Sequence, residues 1–350
     1  MKCLYKIEKS LNIKFDKELR EFLNPEKVYY KSDNYYVNEG DKVFKDTQVT
    51  PYLSSSVSGI AKMEDDCLVI ENDYTESYGT SKRLKKKEIE KYDFVKILSD
   101  DFIKELSHKT LIINCVDDIP STYNRKYYLD NNIDLILEMV DLINKCFNND
   151  KVMIIIDSSE NDLVLKYTSV SGSFPFIEYK YIKNEYPLYF KDILCDRVGK
   201  KEDEVGLITI FDLIELYYII KRGIALCDRY ISIINGSESF VVNVKIGTKL
   251  SDLFSNFEIN INNRNIVLNN ILNGHLIDSD YIIDEDTTAI FVVDNIDESS
   301  DCINCGNCIR VCPFGCDPLH GVNLNMCRNC GLCKYFCPSK RNIGGSCYEK

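Results

Sequence analysis

The chain predicts a multidomain protein of α/β plus β class, and three observations carry that reading. Residues 35–74 hold short apolar stretches broken by tight-turn signals, the mark of a small β-domain. From 92 to about 225, apolar strand-like runs alternate with segments of helical period, which indicates an α/β layer around a mainly parallel sheet. From 228 to 295 the pattern returns to β, and ten of the sixteen cysteines then crowd into the last 49 residues. A length of 350 residues accommodates this division. The expected units are 1–74 (a lead-in and barrel-like domain), 75–91 (a linker), 92–227, 228–295 and 296–350.

Taken in order, residues 1–30 are a mixed, amphipathic lead-in. In the first β-domain the apolar stretches are Tyr36–Val37, Val43, Val49, Val57 and Leu68–Ile70, broken by Glu39-Gly40-Asp41 and Ser58-Gly59. The linker contains the one dense basic run, Lys82, Arg83, Lys85, Lys86 and Lys87, read as a solvated face. TLIIN at 110–114 predicts a short strand. Ile133, Ile136, Leu137, Val140, Ile143 and Phe147 give 131–147 a helical period. VMIII at 152–156 is a continuous apolar run, as expected of a strand buried on both faces. A strand over 205–210 and a helix over 211–222 follow, the helix stopped by Gly223. In 228–295, GTKLSDLF reads as a turn and a short helix between strands, which predicts a β-grasp-like domain. Residues 296–301 are a polar joint.

Composition excludes several classes. Lys plus Arg number 43 and Asp plus Glu 55, for a net charge of −12, so non-specific nucleic-acid binding is not expected. No run of eighteen apolar residues occurs, and the start lacks an apolar stretch of signal-peptide length, so a cytoplasmic location is expected. His108, His275 and His320 are scattered, no nucleophile–base pair stands out, and no catalytic residue is assigned.

The cysteines cluster at ligand spacing. Cys302-Ile-Asn-Cys305-Gly-Asn-Cys308-Ile-Arg-Val-Cys312-Pro313 and Cys327-Arg-Asn-Cys330-Gly-Leu-Cys333-Lys-Tyr-Phe-Cys337-Pro338 both fit C-x2-C-x2-C-x3-C-P. Three thiolates two residues apart wrap one cubane, while Gly306 and Gly331 let backbone N–H groups approach its sulfurs. In two-cluster ferredoxins the fourth Cys ligates the other cluster. Two [4Fe–4S] clusters are therefore expected, one on Cys302, Cys305, Cys308 and Cys337, the other on Cys327, Cys330, Cys333 and Cys312. Zinc sites would need only two C-x2-C knuckles and would leave the other cysteines surplus. Arg310, Arg328, Lys334, Lys340 and Arg341 read equally as surface charge and as cations that raise cluster potentials. Cys115, Cys146 and Cys227 read as small core residues. Cys3, Cys67, Cys195, Cys316 and Cys347 fit no motif, and Cys316 and Cys347 are not expected to be ligands because both motifs are complete.

Several segments together resemble one family. The chain is similar to RnfC, the peripheral iron–sulfur subunit of the Rnf electron-transport complex of anaerobes, and to soluble relatives such as PrdC. NEGDKVFKDTQVTPYLSSSVSGIA (38–61) resembles that family's barrel-sandwich segment. LIINCVDDIP (111–120) resembles the flavin-binding turn of the complex I 51-kDa subunit. GIALCDRYISIING (223–236) and NVKIGTKLSDL (243–253) resemble the SLBB domain and its approach. The resemblance implies a barrel-sandwich-like domain, a degenerate 51-kDa-type α/β domain, an SLBB-like β-grasp domain and a ferredoxin-like dicluster domain.

The departures are as informative. The family's glycine-rich loop, which lets FMN and NADH approach the backbone, has no counterpart: no glycine lies between Gly79 and Gly172. The acidic flavin turn is Asn114-Cys115-Val116-Asp117-Asp118-Ile119-Pro120, with Ile119 replacing an acid, and Thr209 and Asp212 stand where the family has Asn and Thr. FMN and NAD are therefore not expected. The barrel-like tip Ser56-Val57-Ser58-Gly59 lacks the Lys of lipoyl or biotinyl carriers and predicts packing or docking. The expected function is a one-electron relay between redox partners, a ferredoxin-type donor or a reductase, with peripheral association to a membrane complex as one setting. The alternatives are an NADH- or ferredoxin-linked oxidoreductase subunit and a structural adaptor.

Overall fold

The computed structural model describes residues 13–51, 53–78, 89–172, 174–294 and 300–341. Cys3, Cys347, the basic run at 82–87 and residues 296–299 of the polar joint lie outside the described residues.

Four strands, Thr110–Asn114, Lys151–Asp157, Ile177–Ile182 and Val205–Thr209, form a parallel sheet in the spatial order third, second, first, fourth. A parallel sheet must be covered on both faces, because its crossovers place elements above and below it. Side chains alternate along each strand and divide cleanly. Leu111, Ile113, Val152, Ile154, Ile156 and Ile208 face one core. That core is closed by the helices Ile133–Phe147, Asn161–Ser169 and Ile210–Leu216. Ile112, Met153, Ile155 and Val205 face a second core, shared with Leu188, Ile193 and Leu194 and with Val311, Phe314 and Leu332 of the cysteine-rich tail. The tail therefore forms part of the second layer of this sheet. The run 152–156 is buried on both faces, as its composition predicts.

The helix predicted over 211–222 is an α-helix at Ile210–Leu216 that widens into a π-helical turn at Tyr217–Arg222. Gly223, at φ 65°, ends it in the left-handed conformation. Within the stretch that lacks glycine, the residues ahead of the first parallel strand fold as two short helices, Lys91–Val95 and Asp100–Leu106. Ser99 caps the second by accepting the Phe102 N–H, and Asp100 and Asp101 sit in its first turn, where the helix dipole favours negative charge.

A four-stranded antiparallel sheet joins Lys27–Tyr30, Cys67–Asn72, Gly59–Glu64 and Lys42–Val43 in that spatial order. A six-stranded sheet runs Lys14–Phe22, Glu238–Lys245, Asp228–Asn235, Ala289–Asp294, Arg264–Leu268 and His275–Ile277. The helix Leu250–Asn256 packs on it through Leu250, Leu253 and Phe254. One placement departs from the sequence reading: residues 14–22, grouped with the first β-domain, pair in parallel with Glu238–Lys245 instead. The strand reads KFDKELREF, and its charges hide any alternation. Such charge is usual on an edge strand, where it discourages pairing with other chains. The tip Ser56-Val57-Ser58-Gly59 packs inward. The Ser56 hydroxyl donates to the Ile246 carbonyl at 2.5 Å, and the Tyr29 N–H donates to the Gly247 carbonyl at 2.8 Å, tying the first sheet to the six-stranded one.

Gly206 is where the helix Asp100–Leu106 meets the parallel sheet: a Cβ there would stand 1.9 Å from the Glu105 carbonyl oxygen. The Glu105 carboxylate is fixed at the same place by Lys191, at 2.9 Å, and by the Leu207 N–H, at 2.7 Å. Because the obstacle is backbone, Gly206→Ala should destabilise the fold by about 2–3 kcal/mol in denaturant titration. Gly172→Ala, in open space, should stay within about 0.5 kcal/mol of the unsubstituted protein.

Candidate iron–sulfur centre

The two cysteine motifs fold alike. In the first, Asn304 (φ 53°) and Gly306 (φ 69°) both take the left-handed conformation, and the short helix Asn307–Arg310 follows. In the second, Asn329 (φ 50°) and Gly331 (φ 76°) repeat the pattern ahead of Leu332–Tyr335. The left-handed Asn turns its own N–H back toward the first cysteine. Asn304 donates to the Cys302 sulfur and Asn329 to the Cys327 sulfur, each at 3.4 Å. The motifs sit side by side, with the Asn307 amide donating to the Phe336 carbonyl at 3.1 Å.

Thiol neighbours cross between the motifs. Cys308 lies within electrostatic reach of Cys305 and of Cys337 from the other motif. Cys330 faces Cys327 and Cys312. Burial pushes the Cys330 thiol up to about 11 and raises Cys308, while the Asn304 N–H lowers half-buried Cys302. Metal loading must therefore displace protons from the buried thiols. No disulfide joins the described cysteines. Among the described residues no three metal-ligating side chains converge on a single ion. A cubane asks for a different arrangement, one thiolate at each iron corner. The donor set fits that group: soft thiolates throughout, with backbone N–H groups aimed at sulfur.

The second motif is anchored by residues that carry no sequence signal. The Tyr186 hydroxyl donates to the Cys330 carbonyl at 2.5 Å, and the Asn273 amide donates to the Asn329 carbonyl at 2.7 Å. Gly331 lies so close to the Leu272 carbonyl that a Cβ would stand 2.2 Å from it. Leu332 is fully buried. Away from the motifs, Cys115, Cys195 and Cys227 are buried and Cys146 is half-buried.

The turn resembling a flavin site is closed on itself. Arg125 pairs with Asp118 at 3.0 Å and donates to the Val116 carbonyl at 2.6 Å. The Asn114 amide donates to Asp118 at 2.7 Å. Asp117 accepts the N–H groups of Arg125 and Lys126 at 2.8 and 3.1 Å, at the start of the helix Asn124–Asn131. Burial pushes Asp117 up to about 7 and raises Asp118 as well. Thr209 and Asp212 bond each other reciprocally as the capping box of Ile210–Leu216. The cavity beside Asp117, Asp157 and Glu160 measures about 130 Å³. Small-molecule sites usually need roughly 300 Å³ or more.

Comparison with known proteins bears on the tail. A family model described as a 4Fe-4S binding domain matches residues 299–315 and again 324–340. The tail is a 4Fe–4S binding domain. Pyruvate synthase subunit PorD of Methanothermobacter marburgensis is 48% identical over 40 residues, 11% of this chain and 49% of PorD. Structures of an NAD+-reducing [NiFe]-hydrogenase, air-oxidized and H2-reduced, align with TM-scores of 0.42 and 0.44 at 10% and 9% identity. These alignments cover 58% and 62% of this chain and 41% and 48% of the hydrogenase chain. The chain thus spans less than half the length of the relatives first matched. No helix among the described residues is long and apolar enough to cross a membrane.

Gly331→Ala combines a left-handed backbone with a clash against backbone, whereas Gly306→Ala meets only the former, with nothing within 4 Å of its Cβ. In anaerobic preparations Gly331→Ala should lose iron while Gly306→Ala keeps most of it. Equal retention by both would show that the Leu272 contact does not hold the motif in place.

Proposed function

We propose that the chain passes single electrons between redox partners through two [4Fe–4S] clusters, held crosswise by Cys302, Cys305, Cys308 and Cys337 and by Cys327, Cys330, Cys333 and Cys312. The single observation that carries this reading is the doubled motif with its crossed thiol neighbours. Bound clusters supply reversible one-electron chemistry. The chain's residues do the rest. Asn304 and Asn329 direct N–H groups at sulfur, Tyr186 and Asn273 hold the second motif against the sheet, and exposed Cys305 and Cys327 mark the faces a partner reaches.

The domain order supports an RnfC-like origin without a flavin or NADH site. Where a glycine-rich loop would let a phosphate approach backbone N–H groups, the chain has the capped helix Asp100–Leu106. The acids of the flavin turn are engaged with Arg125 and with the helix behind them. The partner is then a ferredoxin-type donor or a reductase, in the cytoplasm or at the face of a membrane complex. A structural role for the clusters has one observation in its favour, since the tail covers part of the parallel sheet. The two readings separate on redox behaviour.

Anaerobically purified protein should contain about eight iron and eight acid-labile sulfide per chain. Cys312→Ser should disturb mainly the cluster built on Cys327, Cys330 and Cys333. Dithionite or a reduced ferredoxin should bleach the clusters reversibly, and NADH should not. Zinc in place of iron would sink the cluster assignment, and clusters that cannot be reduced and reoxidised would favour the structural reading. Stoichiometric FMN, or bleaching by NADH in the pure protein, would restore the dehydrogenase reading.

A further inference from the structure

Four residues after the last cysteine of each motif the two halves differ. After Cys337 comes Arg341, whose positive charge lies within reach of Cys302. After Cys312 comes Cys316, which belongs to neither motif.

The backbone N–H of Cys316 donates to the Cys312 sulfur at 3.3 Å. Its thiol lies within electrostatic reach of Cys312, Cys327 and Cys330. The positive φ of Gly315, 72°, turns the chain into this position. Cys316 is 2% exposed and packs in the core shared with Val116, Leu188 and Phe314, between the second motif and the parallel sheet. Water therefore has little access to that side of Cys312, and a donor there is not replaced by solvent when removed.

We propose that Cys316 sets the reduction potential of the cluster held by Cys312, Cys327, Cys330 and Cys333, by donating an S–H···S hydrogen bond to the Cys312 sulfur. Reduction adds negative charge to a cluster and its thiolates. A hydrogen bond to one of those sulfurs favours the reduced form and raises the potential. In a buried, low-dielectric setting the effect is larger than in water. Cys316 is a positioning residue that acts through Cys312, and the proposal rests on the crossed two-cluster reading.

The test is an anaerobic redox titration, followed by electron paramagnetic resonance, of the unsubstituted protein, Cys316→Ala and Cys316→Ser. Alanine keeps the backbone N–H and removes the S–H, while serine retains a side-chain donor. Cys327→Ser identifies which wave belongs to the second cluster. Cys316→Ala should make that cluster about tenfold harder to reduce, a shift of about 59 mV for a one-electron couple. The other cluster should be unmoved, with iron still at about eight per chain, and Cys316→Ser should recover most of the shift. Unchanged potentials in Cys316→Ala would overturn the proposal. So would the loss of about four iron, which would make Cys316 a ligand. About four iron in the unsubstituted protein would break the two-cluster reading instead, independently of any Cys316 variant.

Discussion

A four-stranded parallel sheet cannot leave either apolar face in water, and the rest of this structure follows from how the second face is covered. Ile112, Met153 and Ile155 point away from the helical layer, and each is buried almost completely. Their cover comes partly from Leu188, Ile193 and Leu194 and partly from Val311, Phe314 and Leu332 of the cysteine-rich tail. The cluster-binding segment is thus built into the core. Burying a side chain of this size contributes roughly 1.5–3 kcal/mol, so the joint core ties the tail to the sheet by several such terms.

That arrangement explains the unequal surroundings of the two motifs. The second is pressed against the body of the protein, with Gly331 under the Leu272 carbonyl and the Cys330 carbonyl bonded by Tyr186. The first lies further out, with Cys302 beside Arg341. The same sheet accounts for the altered carboxyl-end crevice, where doubly wound folds usually bind ligands. There Arg125 neutralises Asp118, Asp117 binds the N–H groups opening the next helix, and Thr209 and Asp212 cap another. Residues that elsewhere could face a ligand pair with one another or with a helix end here, and only Asp118 Oδ1 among these carboxylate oxygens is buried without a hydrogen bond.

What was legible in the sequence was whatever local chemistry imposes a spacing. The cysteine motifs could be read because a cubane dictates where thiolates and glycines fall. The run 152–156 declared its burial by having no polar face, and the period of 133–147 declared a helix. Contacts distant in sequence left no such mark. The strand Lys14–Phe22 alternates too little to announce itself, and its partner lies more than two hundred residues away. Nothing in NNILNG at 269–274 hints that it meets Gly331. Cys316 was set aside because both motifs were complete without it, and only its position against Cys312 gives it a role.

If the tail is part of the sheet's core, removing the clusters must loosen more than the tail. Amide hydrogen exchange on anaerobic protein, with clusters bound and after their removal by chelator, tests this directly. The account predicts that protection falls in Thr110–Asn114 and Lys151–Asp157 together with 300–341, while the sheet of Lys27–Tyr30 and Cys67–Asn72 is unchanged. Loss of protection confined to 300–341 would contradict it and make the tail an independent appendage.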